Sequence, residues 1–441
     1  MTNVPQVATA MQTLLTTTAN ATARATGFTQ RRSALTGAGF AQALVFGWLA
    51  NANATLEDLS QSAATCGCPV TAQALDQRFT PAAATFLQTL LAQAVQTAIT
   101  SDPVAIPLLQ RFTGVYLLDS STVVLPDALA TLWPGCGGTT SERTQAAVKV
   151  QVRLDLVTGG LAGPYLQAGR ANDGRSLTQT LSLPAGALRL ADLGYFNLDV
   201  LRDLDVHGVY WLSRVEARTV VFDAQGTRWP LVQLLQARAN ATIDLPIKVG
   251  VAAQLPARLL AVRVPQEVAD QRRRKLRATA QRKQQAPSAA SLALADWTVL
   301  ITNAPGELLS LEEALVLGRA RWQIELLFKL WKSHGQIDES RSQKPWRVLC
   351  EVYAKLLAMV VQHWLLLVGC WRYPDRSLCK AAHTVQRHAL HLAASCHCPV
   401  QLAAAITTIQ RCLSAGCRIN KRKAKRHTYQ LLLSITDGAL A

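Results

Sequence analysis

Acidic residues are scarce in this chain. Asp and Glu total 28 among 441 residues, against 45 Lys and Arg, a formal charge of +17 at pH 7. So basic a surface suits a polyanionic partner, nucleic acid first; the bland alternative is a protein that is merely basic. Long apolar runs are also lacking. The longest, Leu356 to Trp371, is broken by Gln362 and His363 and is shorter than the ~20 residues a membrane span needs. It reads as a buried core helix. The first residues, MTNVPQVATAMQ, lack a basic segment followed by an apolar one, so no signal peptide is read there. The expectation is a soluble cytoplasmic protein with no membrane partner. Ten cysteines are too few for a disulfide framework in a chain this long. The pairs Cys66/Cys68 and Cys396/Cys398 are spaced C-x-C, not C-x-x-C. With His397, Cys412 and Cys417 near the second pair, structural zinc is one reading there; buried or idle thiols are the preferred one.

What the chain does have is apolar material. Hydrophobic residues make up 49%, which supports a sizeable core and two or three domains at this length. Residues 1–110 read as helical, with apolar residues at helical spacing over Phe40–Leu49 and Phe86–Leu91. They form either a small DNA-binding module or a plain helical bundle. Near residue 113 the pattern changes. Val115–Leu118 reads as a buried strand, and residues 148–156 alternate apolar and polar as a half-buried strand does. Gly159-Gly160 turns the chain toward a strand at 163–167. A helix over Asn172–Leu181, a strand over Leu188–Asp192, a helix over Leu198–Leu204 and a strand over Val209–Leu212 follow. This order predicts a mixed α/β sheet. Residues 218–294 read as β-rich, with strands at 219–222 and 259–264 and a basic helix over 271–277 continued by Arg282 and Lys283. Trp297–Thr302 is a strand returning to the main sheet. The rest is helical and ends in a basic cluster, Arg418–His427. The expected divisions are therefore 1–110, 111–217, 218–294, 295–370 and 371–441.

Asp119 directly follows the first strand and Asp192 ends the fourth. If those strands are adjacent, the two carboxylates meet at one edge of the sheet, where α/β sites form. Carboxylates are the hard ligands magnesium or manganese prefers, and phosphodiester chemistry is well served by two such ions. Either Asp alone is as readily a strand cap. The segment Arg321-Trp-Gln-Ile-Glu-Leu-Leu-Phe-Lys-Leu-Trp-Lys332 says more. At helical spacing Arg321, Glu325, Lys329 and Lys332 fall in one narrow arc, and apolar residues fill most of the remainder. A mostly buried helix with one charged stripe is predicted. Glu325 can complete a metal site there while the cations hold phosphates; ordinary i,i+4 ion pairs on a solvated face are the alternative.

Three motifs then fall in register: Leu118-Asp-Ser-Ser-Thr122, Ala191-Asp-Leu-Gly-Tyr-Phe196, and Arg321-Trp-Gln-Ile-Glu325 running on to Lys332. With them the chain resembles the DDE transposases of bacterial insertion sequences, in the insertion sequence 4 family with its Y-R-E-K signature, over roughly residues 35–430. The resemblance implies an RNase H-like catalytic core interrupted by a β-rich insertion. It implies Asp119, Asp192 and Glu325 as the metal-binding triad for two Mg2+ or Mn2+ ions. It places Arg321 and Lys332 on the signature's R and K, which contact DNA phosphates near the cut end. Trp297 matches a tryptophan that stacks on a flipped base, or is simply core. Arg214 matches an arginine near the DNA end, and Lys329 shares the charged stripe. The Y position is Gly318 here, so that tyrosine's contacts are missing or come from elsewhere. Implied too are cut-and-paste transposition through a free 3′-OH and a DNA hairpin, and double-stranded terminal repeats and target DNA as partners. A homodimer in a synaptic complex and a bacterial, nucleoid-associated location complete the expectation. A nuclease on the same core that cuts without joining, and a catalytically decayed DNA-binding relative, are the alternatives.

Overall fold

A computed structural model describes residues 4–31, 33–136, 145–282, 284–420 and 426–436. Lys283 of the expected basic helix and residues 421–425 of the basic cluster lie outside the described residues.

Among the described residues ten strands form one mixed sheet: β1 (Val115–Leu125), β2 (Ala146–Asp155), β3 (Leu161–Ala168), β4 (Leu188–Ala191), β5 (Tyr210–Ser213), β6 (Val220–Phe222), β7 (Arg228–Pro230), β8 (Thr242–Val249), β9 (Leu255–Arg263) and β10 (Trp297–Thr302). Their order across the sheet is β3-β2-β1-β4-β5-β10-β9-β8-β6-β7. The strands β1, β2 and β3 are antiparallel neighbours, whereas β1, β4 and β5 run parallel. Parallel pairing needs a crossover. The helix Leu198–Val206 supplies the one between β4 and β5.

Two hydrophobic cores flank the sheet. The larger joins Val115, Leu117, Leu190 and Leu300 to the helices on one face. Its axis is the Pro345–Gly369 helix, buried from Val348 to Gly369. By length and composition this helix could cross a membrane, yet its most apolar stretch is wholly enclosed by protein, as expected of a core helix. The N-terminal helices, among them Gly37–Ala50 and Pro81–Val95, share the same core. On the other face a smaller core packs Leu201 and Leu204 against Trp211, Leu259 and Ile301.

Two local expectations are corrected, and one strand is added to them. Asp119 does not follow its strand but lies inside it. The partner β4 stops opposite Leu118, but β2 pairs with β1 as far as Leu125 and keeps it extended. The helix expected over Asn172–Leu181 is a 3-10 turn, Asp173–Arg175, and a single α-turn, Leu177–Thr180, separated by extended Ser176. Asn172 caps the first piece by accepting from the Gly174 N–H at 2.8 Å, and the Asp173 carboxylate is drawn into side-chain bonds described below. Finally, β8 is a strand without a clear run of β-formers, since Pro246 interrupts it. Pro is tolerated there because β6 pairs only with Lys248 and Val249, so the outer side of Pro246 carries no ladder.

Candidate functional site

The sheet itself sets out the site. In β1, β4 and β5 the residues Leu118, Ala191 and Ser213 stand in one row. The next residue along each strand is Asp119, Asp192 or Arg214. Strand alternation puts Asp119 on the same face as Leu117, which packs in the larger core with Ile324 and Phe328 of the Trp322–Ser333 helix. That helix carries Glu325 and lies against β1.

Each carboxylate has a local holder. Asp119 accepts from the Ser120 N–H at 2.8 Å, Asp192 accepts from the Gly194 N–H at 2.7 Å, and Glu325 is turned to the Arg321 guanidinium. Asp192 and Glu325 are close enough to act on the charge of Asp119. Burial chiefly, with Asp192 and Glu325 adding to it, pushes the Asp119 carboxyl up from 3.8 to about 6, against the opposing pull of the Ser120 N–H and Arg321. Like charges gathered in a partly desolvated place favour a neutralising cation. Three carboxylates are an oxygen donor set suited to a hard divalent ion.

The Glu325 helix departs from expectation on one side. Its buried residues include Ile324, Leu327, Phe328, Leu330 and Trp331, but Trp322 is 56% exposed and Leu326 49%. The charged stripe is thus bordered by an open apolar edge. Arg321 sits at the joint between this helix and Leu311–Ala320, which starts with a Ser310/Glu313 capping box. Its Nη1 is buried without a hydrogen-bond partner.

The remaining expected residues divide by exposure. Lys329 is exposed. Lys332 reaches the Thr122 carbonyl at 3.3 Å and Asp338 at 3.3 Å, tying the helix to β1 beyond Asp119. Trp297 is only 5% exposed, and the Arg263 guanidinium lies 4.9 Å from its ring centre. Arg214 borders two cavities. One, about 440 Å³, is also lined by Gly318, Arg272, Arg319, Arg321 and Trp322; the other, about 490 Å³, by Trp297, Arg272 and Lys275. A Cβ on Gly318 would meet Leu300 at 3.1 Å.

Sequence reasoning missed two features. Arg272 of the basic helix is not a free cation but donates to the Trp297 carbonyl at 2.8 Å and to Thr298 at 3.0 Å, which fixes that helix beside Arg214. Asp173 is a fourth carboxylate near the site. Its Oδ1 accepts from Ser120 at 2.9 Å, Gln151 at 2.9 Å and Lys149 at 3.1 Å, and Gln151 in turn accepts from the Tyr195 hydroxyl at 2.7 Å. The network ties Ser120, next to Asp119, to Tyr195 of the second motif. The polar positions Lys149 and Gln151 on β2 were the available signal.

None of the ten cysteines is in a disulfide. Burial pushes Cys66 and Cys396 up to about 12, and the His397 ring bonds the Cys66 carbonyl at 2.7 Å.

Residues 110–361 match the model of the transposase DDE domain family, a span that includes all three carboxylates. The chain is 27% identical over 396 residues to the transposase of insertion sequence element IS231F from Bacillus thuringiensis subsp. israelensis, covering 84% of this chain and 82% of that protein. It is 28% identical over 360 residues to the transposase of IS231C from Bacillus thuringiensis subsp. berliner, covering 77% and 75%. Against the transposase of IS1151 from Clostridium perfringens it is 26% identical over 366 residues, covering 78% and 76%. The chain belongs to the transposase DDE domain family and is a DNA transposase of the insertion-sequence type.

Proposed function

We propose that Asp119, Asp192 and Glu325 hold two Mg2+ or Mn2+ ions at which this transposase cuts the ends of its element and joins them to target DNA. The observation that carries this is the meeting of Asp119 with Asp192 and Glu325 in a place where burial chiefly, with the two neighbouring carboxylates adding to it, lifts the Asp119 carboxyl to about 6. Bound divalent ions supply a nucleophile at neutral pH and neutralise charge on the attacking and leaving oxygens. The chain's own part is positional. The aligned strand ends and the Glu325 helix fix the three carboxylates, and Arg321 borders a cavity with Arg214 and Arg319 where a phosphate can be held. Lys329, Lys332 and Arg214 extend the basic path. Trp297 lines the adjoining cavity from a buried position, with the Arg263 guanidinium over its ring.

We further read β3-β2-β1-β4-β5 and the Glu325 helix as an RNase H-like core, with 218–294 as an insertion. The regions 1–110 and 371–441 are helical flanks, divided from the core parts 111–217 and 295–370. Joining two ends calls for two protomers, so a homodimer in a synaptic complex is proposed, acting in the bacterial cytoplasm on nucleoid DNA. Gly318, in place of the signature tyrosine, favours one second reading: a relative that binds ends but no longer cuts them. Inverted repeats flanking the coding sequence supply the substrate that decides. Divalent-metal-dependent nicking at the repeat boundary is expected; binding without nicking in Mg2+ or Mn2+ favours the second reading.

Arg321→Ala is expected to weaken end binding by about 10- to 100-fold, the loss of a charge-assisted phosphate contact worth ~1.5–3 kcal/mol. The slope of log affinity against log salt should become shallower by about one unit. Arg321→Lys should restore the slope but not the full affinity, since the ammonium cannot fork. Mobility-shift titrations at several salt concentrations check this; an unchanged slope in Arg321→Ala removes Arg321 from the phosphate path.

A further inference from the structure

We propose that His334, Cys379 and His383 form a second metal site, for a zinc-class ion, at the far end of the helix that carries Glu325. His334 is the residue that closes the Trp322–Ser333 helix. Cys379 and His383 lie four residues apart on the Leu378–Arg387 helix, a spacing that puts both on one face. One ligand atom from each of the three lies within 4.8 Å of the others. His334 Nε2 is 3.1 Å from Cys379 Sγ, and the His334 and His383 rings meet edge to face at 4.2 Å. Cys379 and His383 are exposed, so an ion has a path in.

The donor set selects the ion. One thiolate and two imidazoles are the soft and borderline ligands of zinc, whereas magnesium and manganese prefer the carboxylates elsewhere. Zinc bonds of about 2.3 Å to sulfur and about 2.0 Å to nitrogen separate N and S by roughly 3.5 Å in a tetrahedron. The 3.1 Å pair therefore has to open by only a few tenths of an ångström. Three protein ligands leave the fourth position to water, and an open cavity of about 460 Å³ bordered by His334 and Cys379 admits it. On binding, Cys379 gives its proton to solvent and its sulfur bonds the ion. The two histidines donate ring lone pairs, and no electron changes hands. The ion would pin the end of the Glu325 helix to the Leu378–Arg387 helix, coupling the helical C-terminal region to the carboxylate site. The proposal does not rest on the transposase reading.

The test is cobalt titration of the full chain after chelation. One equivalent should give the near-ultraviolet charge-transfer band of a cobalt–thiolate bond, which zinc then abolishes by displacement. Cys379→Ser should lose the band. His383→Ala, also at an exposed position, should weaken binding by at least about tenfold, since even outer partners of metal ligands cost that much. Asp119→Asn should keep the band, which separates this site from the carboxylates. No band at one equivalent, or a band unchanged in Cys379→Ser, overturns the proposal.

Discussion

Glu325→Gln is expected to leave the chain folded and able to bind a cognate end, but to lower metal-dependent nicking by about 10³-fold or more. The amide matches the carboxylate in size, and the Glu325 side chain is only partly buried, so packing of Ile324, Leu327 and Phe328 beneath it is undisturbed. In the proposed role of Glu325, what is lost is a negative oxygen ligand. Metal ions contribute several kcal/mol to the transition state of phosphoryl transfer, and each ~1.4 kcal/mol is tenfold in rate. The ion pair with Arg321 weakens as well, which leaves Arg321 freer to hold DNA. Binding is therefore maintained or slightly tighter. Gel assays of nicking and mobility shift on one labelled end measure both quantities. Nicking by Glu325→Gln at the wild-type rate would remove Glu325 from the site.

The second large effect is on stability. In the metal-free protein Asp119 ionises at about 6 instead of 3.8, chiefly through burial. The native state thus keeps a proton that the unfolded chain releases. Its contribution to stability is fully present below roughly pH 4, falls as pH rises, and is gone above about pH 6. A shift near two units corresponds to on the order of 2–3 kcal/mol. Several other carboxylates, Asp76 held low by Lys344 among them, act in the opposite sense, so the wild-type profile alone is a sum. The difference between wild type and Asp119→Asn isolates the effect. The variant should gain on the wild type between about pH 4 and 6 and hold that lead at higher pH. Millimolar Mg2+ at pH 7 should close the gap by stabilising the wild type and not the variant. Urea unfolding at pH 4.5 and 7, with and without metal, reads this. A gap independent of pH would mean that burial does not raise the Asp119 carboxyl.

Much of this site was legible in the sequence because β-structure and helix leave periodic marks. The clean alternation of Val148 to Leu156 announced β2. The short apolar runs before Asp119 and Asp192 announced strands β1 and β4, and their parallel register, which the sequence does not give, brings the two carboxylates level. The Glu325 helix was visible from its stripe, but its exposure was not. Periodicity tells which residues share a face, not whether that face is covered, so Trp322 and Leu326 were assigned to the interior although they lie open. Asp173 escaped for a different reason. Its segment opens on Asn172, Asp173 and Gly174, turn formers that break the expected helix, and its bonds to Ser120, Lys149 and Gln151 are tertiary contacts that local pattern does not encode. The His334/Cys379/His383 cluster joins residues 45 positions apart in sequence, a proximity that local pattern does not encode.

The most direct test of the central claim is strand transfer from a pre-cut end. A labelled terminal-repeat duplex with a free 3′-OH is mixed with the purified chain, supercoiled target DNA and either Mg2+ or a chelator. The account predicts covalently joined end–target product with Mg2+, none with the chelator, and none with Glu325→Gln. Nicking without any joined product would leave a nuclease in place of a transposase, and joining that persists in the chelator would contradict a metal site built on Asp119, Asp192 and Glu325.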